Sequence, residues 1–557
     1  MIRQRLILIC FIFAFIIVVT RLFYWQIVRG VELSEAASDQ YYFKLSLTPT
    51  RGEILSADKS PLVSNKAAYQ AYAEPKKITN QKDFAEKITE LLNLDTEIIE
   101  ERISAENIVW APLAHKIDEE MKLQLETLAI PGLGFEKESK RYYPEASMAA
   151  QLLGFVGSDE NGNDTGYFGL EGFYDQALKG KPGSLILEKD ARGLPILLGT
   201  NKRITAENGQ NLELYLDRAV QFIVETKLKN AIERYGAKEG LVVVMDPKTG
   251  GILASASFPA YDPIKFSEFD KATYLNPLVS ATYEPGSTFK TLIMSAGLNE
   301  KVVEPKTTFK EEGPVKVSEY LIRTWNNEYH GEMTMIQVLE RSSNPGMVFV
   351  GQQLGKDKLY DYLEKFGIGE KTGIDIEGEA IAQIRPKSEW REIELATASF
   401  GQGIAVTPIQ MVRAVAALAN KGDLMEPQVV KKLIDPRGKT IDRQPKKVRQ
   451  VISPATARVI TEMMVNAVDQ GEAKWAKPPG YRIAGKTGTA QIPVAGHYDA
   501  EKTIASFVGF APADDPKFVM LTLLREPSTS PWGSETAAPL FFAIAKELFN
   551  YYGISPP

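Results

Sequence analysis

A helix is predicted to begin within the stretch Tyr283-Glu284-Pro285-Gly286-Ser287-Thr288-Phe289-Lys290. The Pro-Gly pair interrupts the preceding chain. From Phe289 onward, apolar residues recur at i, i+3, i+4 and i+7, a spacing that predicts a helix with one buried face. Ser287 then lies in the first turn, and Lys290 lies about one turn further along on the same side.

A serine one turn from a lysine at a helix N-terminus has the parts of an activated nucleophile. The lysine can accept the hydroxyl proton if burial lowers its pKa. The free N–H groups of the first turn point at the group under attack. Alone, Ser-x-x-Lys is usually an ordinary surface pair. The interpretation therefore depends on partners elsewhere in the chain.

Composition restricts the chemistry that the chain can carry. Its 557 residues predict two to four domains. A net charge of −6, from 65 basic and 71 acidic side chains, gives no footprint of a nucleic-acid partner. The single cysteine, Cys10, cannot form an intrachain disulfide. The three histidines, His115, His330 and His497, are too dispersed to predict a metal site or a histidine triad, so no metal or cofactor is expected and lysine is the favoured base.

The N-terminal segment predicts a membrane anchor. Residues 6–28 are almost continuously apolar and long enough to cross a bilayer if Arg21 snorkels. Arg3 and Arg5 place the short tail, residues 1–5, in the cytoplasm. The alternative is a cleaved signal peptide, but Ala36-Ala37 is a poor cleavage site because charged residues separate it from the apolar run. Everything after residue 30 is therefore expected outside the cytoplasm, where ATP and nicotinamide chemistry are disfavoured.

The rest of the chain divides at a polar segment near residues 200–210. Residues 31–205 predict a strand-rich module without visible chemistry. Residues 206–557 mix hairpin-linked strands with helices, which predicts an α+β fold. Two helices in this region open on capping boxes, at Thr334 and Thr407.

Ser342-Ser343-Asn344 is the first possible partner of Ser287. A hydroxyl and an amide two residues apart can project into one cleft, where the hydroxyl relays a proton and the amide holds a carbonyl. Because Asn344 precedes Pro345, its backbone is expected to be extended. Taken alone, the triplet is more simply explained as a helix end followed by a turn.

The second possible partner is the segment Tyr481–Thr489, which contains Lys486-Thr487-Gly488-Thr489. Its alternation predicts a strand that can pair with a substrate peptide through its edge. Lys486 and the threonine hydroxyls supply charge and donors for a carboxylate. Residues 480–487, GYRIAGKT, also match the phosphate-loop pattern letter for letter. A phosphate loop needs a helix to open at the Lys-Thr pair, however, and Gly488 and Pro493 open helices poorly.

Ser-x-x-Lys, Ser-x-Asn and Lys-Thr-Gly in this order form the motif set of penicillin-recognising serine enzymes. With the anchor, the chain resembles the class B penicillin-binding proteins, the monofunctional D,D-transpeptidases that cross-link peptidoglycan. The resemblance extends over nearly the whole chain and includes these further segments: Arg51-Gly52-Glu53-Ile54, Arg141-Tyr142-Tyr143-Pro144, Gly169-Leu170-Glu171, Val244–Gly250 and Gly401-Gln402-Gly403. Phe507–Pro512 and Ala537-Ala538-Pro539 are more similar to the division-type branch than to the elongation-type branch.

The resemblance implies a transpeptidase domain, an antiparallel sheet flanked by helices, behind an elongated strand-rich pedestal and one transmembrane helix. It also implies a role for each motif residue. Ser287 is the acylated nucleophile and Lys290 its proton acceptor, while Ser342 relays protons to the leaving D-alanine and Asn344 orients the acyl peptide. Lys486, Thr487 and Thr489 bind the terminal carboxylate, and Gly488 belongs to the same substrate-binding strand. The N–H groups of Ser287 and Thr489 form the oxyanion hole.

Implied partners are peptidoglycan stem peptides, β-lactam antibiotics, the membrane, a SEDS-family glycosyltransferase and divisome proteins. Three alternatives remain. The first is an elongation or cell-shape transpeptidase. The second is a β-lactam sensor or scaffold, disfavoured because so short a tail leaves no cytoplasmic effector. The third is a β-lactamase, for which no deacylating base is evident.

Overall fold

The computed structural model describes residues 2–92, 94–104, 110–160, 162–188, 196, 201–494 and 497–556. Residue 200, in the predicted boundary segment, and the terminal residues Met1 and Pro557 lie outside the described residues. The chain forms two compact units. One consists of Met1–Arg51 with Lys179–Gly209, and the other of Gly52–Leu178 with Gln210–Pro557.

The first unit begins with the apolar helix Ile2–Phe23, which continues as a π-helical segment, Tyr24–Val28. Together, Ile2–Val28 are long and apolar enough to cross a membrane. Next come the helix Gly30–Tyr41 and the strand Tyr42–Leu47. That strand belongs to a three-stranded antiparallel sheet with Gly183–Glu188 and Asn201–Ile204. Two segments distant in sequence thus form one small sheet.

The N-terminal part of the second unit packs short helices on a mixed sheet. Its strands are Ile54–Leu55, Pro61–Ala73, Ala111–Ile117, Leu133–Tyr142, Phe155–Ser158 and Asp164–Tyr167. Its helices are Gln81–Leu92, Thr96–Ser104, Glu119–Thr127, Ala150–Leu153, Gly169–Phe173 and Asp175–Leu178. Phe84, Ile88 and Ile99 pack with Leu113 in a separate small core. Helices thus alternate with strands in this region, which is the mixed, strand-rich module that the sequence predicted.

A five-stranded antiparallel sheet organises the C-terminal part of this unit. Its spatial order is Ile252–Phe258, Glu239–Met245, Phe518–Arg525, His497–Ala511 and Ala484–Val494. Val243 enters the core on one face, and Val242 and Val244 enter the core on the other. This period-two alternation buries both faces, so helices must cover each. Ala484–Val494 lies at the edge of the sheet and is called the edge strand below.

Helices and short hairpins surround this sheet. The helices are Arg218–Tyr235, Pro277–Ser280, Lys290–Asn299, Met335–Glu340, Asn344–Lys365, Glu392–Ala398, Pro408–Ala419, Pro454–Asp469 and Ala537–Tyr551. The mixed sheet described above also contains Asn211–Leu214, Val430–Ile434 and Thr440–Asp442. The remaining strands form short hairpins: Thr308–Glu311 with Gly331–Thr334, Val315–Val317 with Tyr320–Ile322, and Asp423–Met425 with Lys447–Gln450. Both predicted capping boxes are present, at Thr334 and Thr407. The α+β prediction is confirmed.

Two local predictions near the motifs were wrong. The helix Lys290–Asn299 is buried on nearly every side from Lys290 to Gly297, because other helices enclose it. Asn344 does not have the extended backbone expected before proline. It opens the helix Asn344–Lys365, and Ser343 is the extended N-cap residue instead. Pro345 is tolerated there because the first helical turn needs no N–H donor from it.

Candidate active site

Ser287 lies in a short 3₁₀ turn, Gly286–Phe289, that leads directly into the buried helix. Gly286 has a φ of +55°, which glycine adopts without the strain a side chain would bring. Its N–H donates to the Gly401 carbonyl at 3.0 Å, and a Cβ at Gly401 would come within 2.2 Å of the Gly286 oxygen. This packing holds the turn, while the Ser287 side chain remains partly exposed.

The turn packs directly against the edge strand at Gly488. A Cβ added there would lie 2.4 Å from Ser506 Oγ, 2.8 Å from Thr288 Cγ2 and 3.2 Å from the Pro285 oxygen. No side chain fits in that space. Gly488 thus lets the strand that carries Lys486 approach the turn that carries Ser287.

Lys290 is fully buried, and its ammonium nitrogen makes three close contacts. Nζ lies 2.6 Å from the Ser342 carbonyl oxygen, 2.7 Å from Asn344 Oδ1 and 3.2 Å from Ser342 Oγ. In the described part of the chain, no hydrogen bond joins Ser287 Oγ to this nitrogen. Burial, and then the positive charge of Lys486, hold the Lys290 pKa well below that of ordinary lysine, and Glu472 and Glu311 partly oppose this.

Ser342 reaches Lys290 because of an unusual backbone conformation. Its φ is +56°, in the left-handed region that residues with a side chain seldom occupy, and it is buried. Strain of this kind persists only where surrounding contacts enforce it. On the other side of the turn, Asn344 Nδ2 donates to the Arg323 carbonyl at 2.9 Å. The turn thereby presents a carbonyl, a hydroxyl and an amide to one buried amine.

Lys486 lies on the edge strand, with Nζ 3.0 Å from Thr487 Oγ1. Burial lowers its pKa, and the Glu472 carboxylate opposes that effect. Glu472 Oε2 also accepts from Thr487 Oγ1 at 3.4 Å. Because Lys486 and Thr487 lie within a strand, the geometry of a phosphate loop is not formed there.

Thr489 lies two residues after Thr487 on the edge strand and is partly exposed. Its Oγ1 accepts from the Gly533 N–H at 3.0 Å. The neighbouring Trp532 makes an edge-to-face contact with Trp325, with ring centroids 5.0 Å apart. Trp325 lies two residues after Arg323, whose carbonyl binds Asn344. An aromatic pair therefore joins the segment beside Thr489 to the segment beside Asn344.

The structure thus brings all three predicted motifs to one place and adds residues that the motifs did not indicate. Glu311 and Glu472 supply carboxylates near the two buried lysines, and Trp325 and Trp532 supply aromatic surface. Neither carboxylate belongs to a motif or a recognisable spacing. Gly401 had a signal, because the Gly-Gln-Gly segment contributed to the family resemblance.

Two family models match the sequence. The penicillin-binding protein transpeptidase domain matches residues 240–546, and the penicillin-binding protein dimerisation domain matches residues 46–214. The chain belongs to the class B penicillin-binding proteins. The resemblance inferred from the motifs is confirmed, as is a transpeptidase fold that follows a pedestal region and one apolar N-terminal helix.

The relatives of this penicillin-binding protein match almost the whole length of the chain. Stage V sporulation protein D of Bacillus subtilis is 36% identical over 100% of this chain and 87% of its own. Peptidoglycan D,D-transpeptidase FtsI of Escherichia coli is 28% identical over 98% of this chain and 91% of its own.

Solved structures give the same result. A peptidoglycan synthetase from Bifidobacterium adolescentis superposes with a TM-score of 0.76 at 25% identity, covering 93% of this chain and 98% of that one. Penicillin-binding protein 3 of Mycobacterium tuberculosis in complex with ampicillin superposes with a TM-score of 0.72 at 26% identity, covering 92% and 97%.

Proposed function

We propose that this penicillin-binding protein is a serine-type peptidoglycan D,D-transpeptidase in which Ser287 is acylated by the stem peptide. The observation that carries this assignment is the environment of Lys290. A neutral amine has two N–H donors and one lone pair. Donation to the Ser342 carbonyl and to Asn344 Oδ1 uses both donors and leaves the lone pair for a hydroxyl proton. The lowered pKa favours this neutral form.

Acylation then proceeds by attack of Ser287 and departure of the terminal D-alanine. Ser287 Oγ attacks the carbonyl carbon of the penultimate D-alanine as its proton passes to Lys290 Nζ. The N–H groups of Ser287 and Thr489 bind the oxyanion. The peptide C–N bond breaks, and the proton moves from Lys290 through Ser342 to the leaving amine of the terminal D-alanine. Lys486, Thr487, Gly488 and Thr489 form the site for the terminal carboxylate.

Deacylation completes the cross-link. The amine of a second stem peptide attacks the acyl carbon and loses a proton to Lys290. The ester bond to Ser287 breaks, and Lys290 returns the proton to Ser287 Oγ. Attack by water instead gives carboxypeptidase activity. Ser287 attacks the carbonyl carbon of a β-lactam ring as it attacks the donor peptide, and the ring opens. The same residues therefore account for covalent inhibition. No step calls on a cofactor.

Covalent labelling tests this assignment. The purified chain is incubated with a fluorescent penicillin, and the label is located by electrophoresis and peptide mapping. We expect one long-lived adduct on Ser287 and none on the Ser287→Ala variant. Undiminished labelling of Ser287→Ala would remove the nucleophile from the proposal. Rapid turnover of the adduct would favour a β-lactamase.

We also propose how the chain is arranged in the cell. Residues 1–5 lie in the cytoplasm, 6–28 cross the membrane, 31–205 form the pedestal and 206–557 form the transpeptidase outside the cytoplasm. The basic residues Arg3 and Arg5 support this orientation. Protease added to intact spheroplasts should degrade the catalytic region. Protection of the catalytic region from the protease would indicate the opposite orientation.

The activity is proposed to serve septal wall synthesis together with a SEDS-family glycosyltransferase and divisome proteins. The likeness to division-type sequence segments and to a protein named FtsI supports this choice, and the likeness to a sporulation protein provides an alternative septal setting. A fluorescent fusion should concentrate at midcell, or at a sporulation septum. A sidewall distribution would favour elongation. If Ser287→Ala sustains growth of a depleted strain, a sensor or scaffold role replaces the enzymatic one.

A further inference from the structure

A buried carboxylate lies directly behind the Ser342–Asn344 turn and takes no part in the steps above. Glu311 ends the strand Thr308–Glu311 and is only 1% exposed. One carboxylate oxygen, Oε1, accepts a short hydrogen bond from Ser343 Oγ. The other, Oε2, accepts from the His330 N–H at 3.3 Å. An acid so deeply buried is costly unless its contacts compensate.

The Ser343 hydroxyl connects this carboxylate to the catalytic turn. Because its proton points to Glu311, its lone pairs are free to accept the Gly346 N–H, which lies at 2.9 Å. That bond caps the helix Asn344–Lys365. The residues on either side of Ser343 are the two that contact Lys290. The orientation of one hydroxyl therefore fixes both the helix start and the turn.

We propose that Glu311 is a positioning residue for acyl transfer, which holds Ser343 so that Ser342 and Asn344 meet Lys290, and whose charge tunes that lysine. The proposal rests on the proposed function of Ser287 and Lys290. It assigns Glu311 no contact with substrate. The first consequence of this role is geometric. The left-handed backbone of Ser342 needs a restraint from outside the turn, and the bond from Ser343 to Glu311 supplies one.

The second consequence is electrostatic. The charged groups that act on Lys290 are Lys486 on the edge strand, Glu472 after the helix Pro454–Asp469, and Glu311. Around Glu311 itself, the backbone N–H of His330 contacts the carboxylate, and the imidazole Nδ1 of that histidine lies 3.1 Å from Arg341 Nη1. Negative charge at Glu311 favours protonated Lys290. Its removal should therefore lower the pKa of Lys290 further.

The test is the pH dependence of the second-order rate constant for acylation by a fluorescent penicillin. In the wild type, this rate should rise with pH as Lys290 loses its proton. Glu311→Gln keeps the shape and one acceptor but removes the charge. For this variant, we expect the acidic limb of the pH profile to move to lower pH by about half a unit or more. The plateau of its acylation rate at higher pH should stay within about tenfold of the wild type. The exposed neighbour Glu312→Gln, with the same charge change, should leave the profile unaltered.

Two further variants separate geometry from charge. Ser343→Ala keeps the carboxylate but removes its link to the turn, so the plateau should fall by about tenfold or more without displacement of the limb. Glu311→Asp keeps the charge and should keep the limb. If Glu311→Gln does not fold, Ser343→Ala still tests the link between the carboxylate and the turn. A wild-type limb in Glu311→Gln, a displaced limb in Glu311→Asp, or a wild-type plateau in Ser343→Ala would overturn the proposal. Failure of the wild type to label Ser287 would instead overturn the proposed function.

Discussion

Charged side chains behave differently in the catalytic region and in the pedestal segment Gly52–Leu178. Lys290 and Lys486 are almost fully buried beside hydroxyls, carbonyls and an amide, without a carboxylate in direct contact within the described residues. In the pedestal segment, Lys87 is about half exposed and pairs with Asp83 one helical turn away, at 2.8 Å. Burial without a counterion destabilises the charged form of an amine, whereas an exposed pair leaves it nearly unaffected.

The difference teaches how to separate chemistry from support in this molecule. A lysine that can serve as a base must be kept neutral, which requires burial and a neighbouring positive charge. A lysine that only solubilises a helix needs neither. The pedestal has buried charge too, but there Arg141 and Glu171 pair directly with each other. Substitutions in each class should therefore affect different measurements.

The largest effect is expected from Lys290→Met, which keeps length and burial but removes the base. Acylation by a fluorescent penicillin should slow by about 10²–10⁴-fold. The protein should remain folded, because a buried amine is replaced by an apolar side chain. Stopped-flow labelling and thermal melting measure the two quantities. An acylation rate within threefold of the wild type, on the scale set by general-base catalysis, would show that Lys290 is not the base.

Arg141→Met should have the opposite effect to Lys290→Met. It should lower the stability of the protein and leave the acylation rate of the folded protein unchanged. Arg141 Nη2 lies 2.6 Å from Glu171 Oε1, and Nη1 donates to the Gly52 carbonyl at 2.7 Å. Removal deprives the buried Glu171 carboxylate of its ion-pair partner, which should cost about 3–5 kcal/mol in the free energy of unfolding. Urea unfolding measures this cost. A large loss of acylation rate in the fully folded variant would contradict the purely structural role.

Gly488→Ala should produce a smaller change in the catalytic region, through geometry alone. The added Cβ would collide with Ser506 Oγ and Thr288 Cγ2 and displace the turn that carries Ser287. We expect acylation to fall by about 10²-fold. Gly313→Ala is the matched control, because nothing lies within 4 Å of the position of its Cβ. Equal rates for the two variants would show that the close approach at Gly488 is dispensable.

The smallest effect is expected from Lys87→Met in the pedestal segment. This exposed i,i+4 pair with Asp83 should contribute no more than about 0.5 kcal/mol. The acylation rate should match that of the wild type. A destabilisation above 1 kcal/mol, far beyond the range for exposed pairs, would mean that exposure does not distinguish the two regions.

Much of the fold was predictable because its signals are local. Apolar length predicted the N-terminal helix, and the capping boxes at Thr334 and Thr407 predicted where two helices begin. The hairpin-linked strands predicted after residue 206 include the antiparallel pair Glu239–Met245 and Ile252–Phe258. Each of these signals arises within a few neighbouring residues, where hydrogen bonding and side-chain direction follow from the backbone.

Local reasoning failed where distant segments meet. The apolar spacing after Ser287 predicts a helix with one buried face, but other elements enclose this helix and bury its polar residues as well. Asn344 was expected to be extended, but Ser343 takes that conformation and caps the helix with Glu311 behind it. Pro345 alone could not indicate which of its two predecessors would end the turn.

By itself, the sequence determined the order and spacing of the motif residues, since these are fixed by covalent connection and helical period. Only the tertiary structure decided how Lys290 is surrounded. Its neighbours Glu311, Ser342, Glu472 and Lys486 come from separate elements, and the effects of the three charged ones on its pKa depend on distance. Electrostatic interactions act through space rather than along the chain, so no local pattern records them.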